Sequence, residues 1–306
     1  VIGYFLRRLG ALVPVAIGVA TLTFAMIHLV PGDPVVAMLG ETAAPADIVQ
    51  MRHRLGLDRP LGEQYLEFLG GLAKGDLGES ISYQRPVSGL IAERFPATLE
   101  LTVAGLLVGI AIAFPLGIIS GLKPGGPGDL GAMGFAILGI SIPHIYLGPL
   151  LMIVFSLDLR WFPLTGRGGL PHLVLPALTL GTALAAVIAR MLRQSLISVR
   201  DSDYLRTALS KGLSPAAALL RHGLRNAMTS VVTLIGLQAG GLLTGALITE
   251  VIFSWPGIGR LLIGAISARD YPLVEGCVLT FALTYVIVNM LTDLVYALVD
   301  PRVRLG

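Results

Sequence analysis

The chain has 306 residues, 54% of them hydrophobic and 13% charged, with a mean hydropathy of +0.80. Soluble domains carry about 25% charged residues, so too little polar surface remains to cover a water-soluble globule, and the apolar content is too high for a disordered chain. The single cysteine, Cys277, excludes a disulfide framework and a multi-cysteine metal site. The net charge of +3 is small, so the placement of the charges matters more than their sum.

Stretches free of Asp, Glu, Lys and Arg run over 9–32, 101–122, 130–157, 168–189 and 226–249, and another, 276–299, is broken only by Asp293. About 20 apolar residues cross a bilayer, and the stretches lack the alternating polarity of membrane β-strands. They predict an all-α polytopic membrane protein, a single domain over 1–306. Its six transmembrane helices are placed at about 9–30, 98–122, 130–157, 171–193, 227–252 and 276–299. Arg7-Arg8 before the first stretch suits a secretory signal. Its length and the lack of an A-x-A-like site before Pro31 instead predict a retained helix.

Lys and Arg in short loops set the orientation. Arg7, Arg8, Lys123, Arg190, Arg193, Arg200, Arg206, Lys211, Arg221, Arg225, Arg302 and Arg304 fall on one side, against Arg160, Arg167, Arg260 and Arg269 in the short loops opposite. Both termini are therefore predicted in the cytoplasm, with 31–96 outside. Prolines 14, 115, 143, 149 and 176 lie in or near spans and need neighbouring helices to satisfy the freed carbonyls. Small residues at Gly181-Thr182-Ala183, Gly236, Ala239-Gly240-Gly241 and Gly245-Ala246 suit close helix approach, and Gly236, Gly240 and Gly241 equally a subunit interface or a pathway lining.

The external segment opens on the helix stop Pro31-Gly32-Asp33-Pro34. Helical spacing follows over Ala46–Leu55 and Leu61–Leu72, then a turn at Gly75-Asp76-Leu77-Gly78. It reads as a small helical cap. The predicted cytoplasmic segment 194–228 reads as a knob of two helices. In the first, Asp203 stands at the start, Lys211 at the end and Gly212 just beyond. Ser214-Pro215 then supplies an N-cap and first-turn proline for a second helix over Pro215–Asn226.

This knob resembles the EAA loop of ABC-importer permeases, whose general pattern is E-A-A-x-x-x-G, nine residues, then I-x-L-P. Arg206, Thr207 and Ala208 stand at the leading positions, Gly212 is in place, and His222-Gly223-Leu224-Arg225 replaces I-x-L-P. The resemblance is fuller to the dipeptide, oligopeptide and nickel group, with D-Y-x-R-T-A-x-x-K-G-x-S matched at Asp203, Tyr204, Arg206, Thr207, Ala208, Lys211, Gly212 and Ser214. Arg221, His222, Leu224, Arg225, Asn226 and Ala227 match again, as do Phe5–Leu9, Pro31–Pro34, Gly56-Leu57-Asp58, Gly75–Gly78, Glu250, Pro256-Gly257 and Asp300-Pro301-Arg302.

The resemblance implies a type I ABC-importer permease in the bacterial cytoplasmic (inner) membrane. It implies a second homologous permease, two ATP-binding cassette ATPase subunits and an extracytoplasmic substrate-binding protein as partners, with no nucleic acid. Dipeptides or oligopeptides are the expected cargo, with nickel or glutathione as alternatives within the family. The matched knob residues become the ATPase-coupling loop, and transport would proceed by alternating access.

The remaining motifs carry little chemistry. No G-x-x-x-x-G-K-[ST] run occurs, so ATP and Mg are expected on the partner ATPases and no cofactor on this chain. Gly126–Gly131 fits G-x-G-x-x-G, but an apolar span precedes it instead of a strand, so it is read as a turn. The five histidines show no metal-ligand spacing, and no catalytic residues are expected. His144 and His28 either line a polar pathway or bond a neighbouring helix. Glu250 either faces the pathway or ties its span to the external loop, and Asp293 is assigned to a bundle ion pair. A stand-alone secondary transporter or channel is the alternative of another class; internal repeats and mid-membrane charges would mark it. An intramembrane enzyme would need a nucleophile–base pair or metal ligands within the spans.

Overall fold

The computed structural model describes residues 2–29, 35–36, 44–54 and 56–299; within these helices the side chains at 2–9, 11–12, 26–29, 51, 54 and 293–299 are excluded. The predicted stop at Pro31–Pro34, the side chains of Arg7, Arg8, His28 and Asp293, and Asp300-Pro301-Arg302 therefore lie outside the described residues. The structure is helical, and the only β pairing among the described residues is an isolated bridge between Glu79 and Pro86. The chain divides into two compact units, Val1–Ala97 with Gly257–Val286, and Thr98–Pro256 with Ile287–Gly306.

The first unit holds α1 (Ile2–Leu29), α2 (Pro45–Arg54), α3 (Leu61–Ala73), the start of α4 (Val87–Leu122), α11 (Ile258–Ser267) and the start of α12 (Tyr271–Val299). The predicted external cap helix α3 lies against α1. Phe24 packs on Tyr65 and Phe68 with ring centroids 5.3 and 5.8 Å apart, and the Thr21 and Tyr65 hydroxyls are 2.6 Å apart. Asp270 is fully buried and caps α12 by accepting from the Leu273 N–H at 3.3 Å. It also accepts from the Ser80 hydroxyl at 2.5 Å and the Ser82 N–H at 3.0 Å, which anchors the loop before α4.

Helix α11 was not anticipated from the sequence. Ile258, Leu261, Leu262 and Ala265 are buried at helical spacing, so it is an amphipathic helix of 10 residues, too short to cross a bilayer.

The second unit contains the rest of α4, α5 (Pro127–Ser141), α6 (His144–Leu151) continuing as a π-helical segment (Met152–Asp158), α7 (Leu170–Ser198), α8 (Asp203–Ser210), α9 (Pro215–Ala218) and α10 (Leu224–Ile252). The span predicted unbroken over 130–157 is broken. Ile142 is extended (φ −94°, ψ 109°), and the two halves bend by 106°. Pro143 is the physical cause, since its ring drives the preceding residue out of the helical region.

Small residues organise the α4–α7 contact. Gly105, Gly109, Ala113, Gly117 and Gly121 recur every fourth residue on α4; Leu180, Leu184, Ile188, Leu192 and Leu196 recur every fourth residue on α7, each at most 3% exposed. A Cβ on Gly105, Gly109, Gly117 or Gly121 would come within 2.6–2.9 Å of Leu180, Leu184, Leu192 or Leu196 respectively. Gly181 returns the contact, and its Cβ would lie 2.9 Å from both Gly105 O and Gly109 N. A ridge of leucines thus seats in a groove of glycines, the small-xxx-small geometry of close helix approach.

Among the described residues, Val87–Leu122, Leu170–Ser198, Pro215–Ile252 and Tyr271–Thr292 are long and apolar enough to cross a membrane, and α5–α6 would be a fifth such element. The described part of α1 adds a shorter apolar stretch, Val13–Ala25.

One substitution tests the α4–α7 contact. Gly181→Ala places a methyl against backbone atoms that cannot rotate away. Overpacking of this kind costs about 1–3 kcal/mol, so detergent-solubilised protein should unfold at a clearly lower temperature. Gly131→Ala, whose Cβ meets nothing within 4 Å, should leave the temperature unchanged or raise it. Equal unfolding temperatures for Gly181→Ala and the wild type would contradict close packing there.

Candidate functional site

The predicted knob is present and its halves are set by local chemistry. Asp203 opens α8, where a carboxylate suits the helix N-terminus. The helix ends at Lys211, whose N–H donates to Thr207 O at 3.1 Å, and Gly212 follows with φ +89°. Ser214 then caps α9 by accepting from the Ala217 N–H at 3.3 Å, with Pro215 in the first turn. A Cβ at Gly212 would touch nothing within 4 Å, so glycine is required there by backbone conformation and not by crowding.

The residues matched to the coupling motif divide between two faces. Asp203, Tyr204, Arg206, Thr207, Lys211, Gly212 and Ser214 are exposed. Ala208 is 6% exposed and turns inward with Leu205, Ala218 and Leu219, and its carbonyl accepts from the Leu213 N–H at 3.3 Å. Ala208 therefore belongs to the core of the knob and not to its outer surface. A cavity of about 570 Å³ lies beside this core, lined by Leu122, Lys123, Arg200, Leu205, Leu209 and Leu219 among others.

The second knob helix differs from expectation. It does not stop at Asn226 but continues from Pro215 to Ile252 as one helical stretch of 38 residues, with a π turn at Leu219–Gly223. Gly223 is helical (φ −69°, ψ −46°) and a Cβ on it would lie 2.7 Å from Leu219 Cδ1, so this glycine serves packing and does not break the helix. Arg221, His222 and Arg225 are exposed along it.

The polar residues predicted in spans take separate places. Glu250 is fully buried near the end of α10 and accepts from the Thr98 hydroxyl at 2.6 Å; its carbonyl accepts from the Trp255 N–H at 2.8 Å. His144 is the first residue of α6, immediately after the Pro143 break. Its Nδ1 is 2.8 Å from Thr179 O, so Nδ1 carries the hydrogen, since a carbonyl only accepts. His144 also lines a cavity of about 250 Å³ with Gln238, Gly241 and Gly245. Both readings of this histidine are thus compatible: a bond to a neighbouring helix, and a face on a cavity beside a break in the helix. The side chain of Asp293 lies outside the described residues.

One constellation escaped the sequence reading. Asp129, 3% exposed in the first turn of α5, accepts from Arg193 Nε at 2.7 Å on one oxygen and from Arg193 Nη2 at 2.8 Å on the other. The Ser120 hydroxyl also donates to it, as does the Gly125 N–H at 2.7 Å. The G-x-G-x-x-G run that holds Asp129 was read as a turn; it is a helix start instead, with Gly126 as the N-cap and Pro127–Gly131 in the first turn and a half of α5, and it follows a helix and not a strand. An ion pair between residues 64 positions apart leaves no local signal.

The chain matches the profile of the binding-protein-dependent transport system inner membrane component over residues 113–305, and that of the N-terminal region of such membrane components over 1–102. It is 43% identical to the di/tripeptide transport system permease protein DppB of Pseudomonas aeruginosa and to the glutathione transport system permease protein GsiC of Pectobacterium atrosepticum, over 99% of each chain. Identity to the dipeptide transport system permease protein DppB of Escherichia coli K12 is 41% over 98% of each chain. Among solved structures, an inward-facing MetNI methionine ABC transporter superimposes with a TM-score of 0.58 at 18% identity, over 69% of this chain and 96% of that one. An amino acid ABC transporter gives 0.53 at 17% identity, over 71% and 95%. At these identities the structures establish a shared fold, and the sequence matches establish the family. The chain belongs to the inner membrane components of binding-protein-dependent transport systems, the permease subunits of ABC importers.

Proposed function

We propose that this chain forms half of the translocation pathway of an ATP-driven importer of short peptides. It pairs with a second, homologous permease and works with two ATPase subunits and an extracytoplasmic binding protein. In this reading residues 1–306 are one permease domain with six spans, both termini lie in the cytoplasm, and the 203–218 knob docks on an ATPase. ATP and Mg stay on the partners, and this chain contributes no catalytic residue. His144, at the cavity beside the helix break, is assigned to the pathway. Glu250 is assigned to structural support, and Asp293 to a bundle ion pair.

The carrying observation is the exposed, glycine-broken helix pair on a chain 41–43% identical to di/tripeptide, dipeptide and glutathione permeases over nearly its whole length. Di- and tripeptides and glutathione share a small peptide skeleton, and that skeleton is the cargo chemistry proposed. Length favours glutathione as a second reading. The match to the glutathione permease spans 303 positions, whereas that to the di/tripeptide permease spans 332, more than this chain has, so at least 26 aligned positions have no counterpart here.

Proteoliposomes holding the whole complex and its binding protein test both readings. Labelled dipeptide uptake should require ATP, and the permease alone should hydrolyse none. Uptake of glutathione in preference to dipeptides would favour the second reading. Uptake driven by an ion gradient without ATP, or hydrolysis by this chain alone, would contradict the importer assignment.

The knob assignment has its own test. A side chain at φ > 0 costs about 1–2 kcal/mol, and a branched one more, while asparagine tolerates that conformation. Gly212→Val should therefore reduce uptake at least about fivefold at unchanged membrane levels, and Gly212→Asn should restore most of it. Thr207→Asp, on the exposed face, should weaken ATPase co-purification without affecting insertion. Wild-type uptake in both Gly212→Val and Thr207→Asp would show that the knob does not carry the coupling.

A further inference from the structure

We propose that Asp129 and Arg193 are positioning residues that join the α4–α5 turn, α7 and the knob into one mechanical body, so that a force on the knob reaches the membrane helices. The proposal rests on the reading of the chain as an ATP-driven permease.

The geometry is that of a clamp. One buried carboxylate receives four donors from three places: Ser120 in the last turn of α4, Gly125 in the turn, and two N–H groups of the Arg193 fork from α7. Asp129 itself belongs to the first turn of α5. The fork fixes orientation as well as distance, because two parallel N–H donors must meet two oxygens in one plane. Gly125 takes φ +76°, which aims its N–H at the carboxylate.

A second arginine repeats the tie nearer the knob. Arg200 Nη2 donates to Leu122 O at 2.7 Å, a carbonyl at the end of α4 that has no partner within its own helix. Arg193, on α7, reaches the end of α4 through Asp129 and Ser120, and Arg200, in the turn just past α7, reaches it directly. Only Asp201 and Ser202 separate Arg200 from the start of α8.

An apolar contact between the same elements would let them slide by small steps. A buried charge does not: removing either partner leaves the other uncompensated in a medium that solvates it poorly. The clamp therefore stays closed while the knob moves, and the α4 end, the turn and α7 travel with it.

The test is run in proteoliposomes of the complete complex, reading import, ATP hydrolysis and assembly for Arg193→Lys, Asp129→Asn and Ser120→Ala. Arg193→Lys keeps the charge and loses the fork; Ser120→Ala removes one donor of four. Arg193→Lys and Asp129→Asn should assemble and hydrolyse ATP near wild-type rates while importing about five- to tenfold less substrate per ATP, with a smaller drop for Ser120→Ala. An unchanged import-to-hydrolysis ratio would overturn the proposal. So would losses that only follow reduced assembly, or failure of all three variants to assemble, since a purely structural role gives those results. Wild-type import without ATP would instead remove the importer reading, and this proposal with it.

Discussion

The rest of the second unit depends on how closely α4 approaches α7. In lipid the solvent is as apolar as the side chains, so helices gain little from hiding leucine and must gain from packing. The glycines at 105, 109, 117 and 121 let the leucine ridge of α7 come down to the α4 backbone, and Gly181 brings backbone against backbone. Because both ridges repeat every fourth residue, the contact runs along the whole shared length and has one register. A shift by a single residue would put a Cβ-bearing side chain where a glycine now stands.

That register delivers the polar parts. It sets Ser120 and Leu122, at one end of α4, beside the stretch of α7 that carries Arg193, with Arg200 just beyond. The buried carboxylate of Asp129 is then satisfied by four donors and not left as an uncompensated charge. The knob follows directly from that end of α7. Its two halves are set by a positive φ at Gly212 and the Ser214 side-chain cap, around an apolar core of Leu205, Ala208, Ala218 and Leu219. Apolar packing thus fixes the helices, one ion pair fixes their ends, and a glycine fixes the turn between the knob helices.

Much of this was legible in the sequence, and the failures have physical causes. Hydropathy located the long helices, because burial in lipid leaves a signal in every residue. Asp203, Lys211, Gly212 and Ser214 were placed correctly because capping and positive φ are local rules. Tertiary contacts were harder to read. The sequence reading noticed small residues on α7 and α10 but passed over the matching set on α4, whose spacing has meaning only beside the leucines of α7. Ala208 matches the coupling motif, but motif position does not say which way a residue points; Leu205 and Leu219, buried with it, decide that. Pro143 was read as freeing a carbonyl for a neighbouring helix, whereas the 106° bend comes from the extended backbone it imposes on Ile142. The Asp129–Arg193 pair had no local trace at all.

The central claim is that the knob and the α4–α5 turn move as one body. It is tested most directly by spin labels at the exposed positions Ser210 and Lys123 in a Cys277→Ala background, within the complete complex. The account predicts that the distance between these labels stays the same with and without bound ATP, while distances from either label to the partner permease change. A Ser210–Lys123 distance that shifts or broadens on ATP binding would contradict it, because the knob would then be moving free of the helices it is meant to drive.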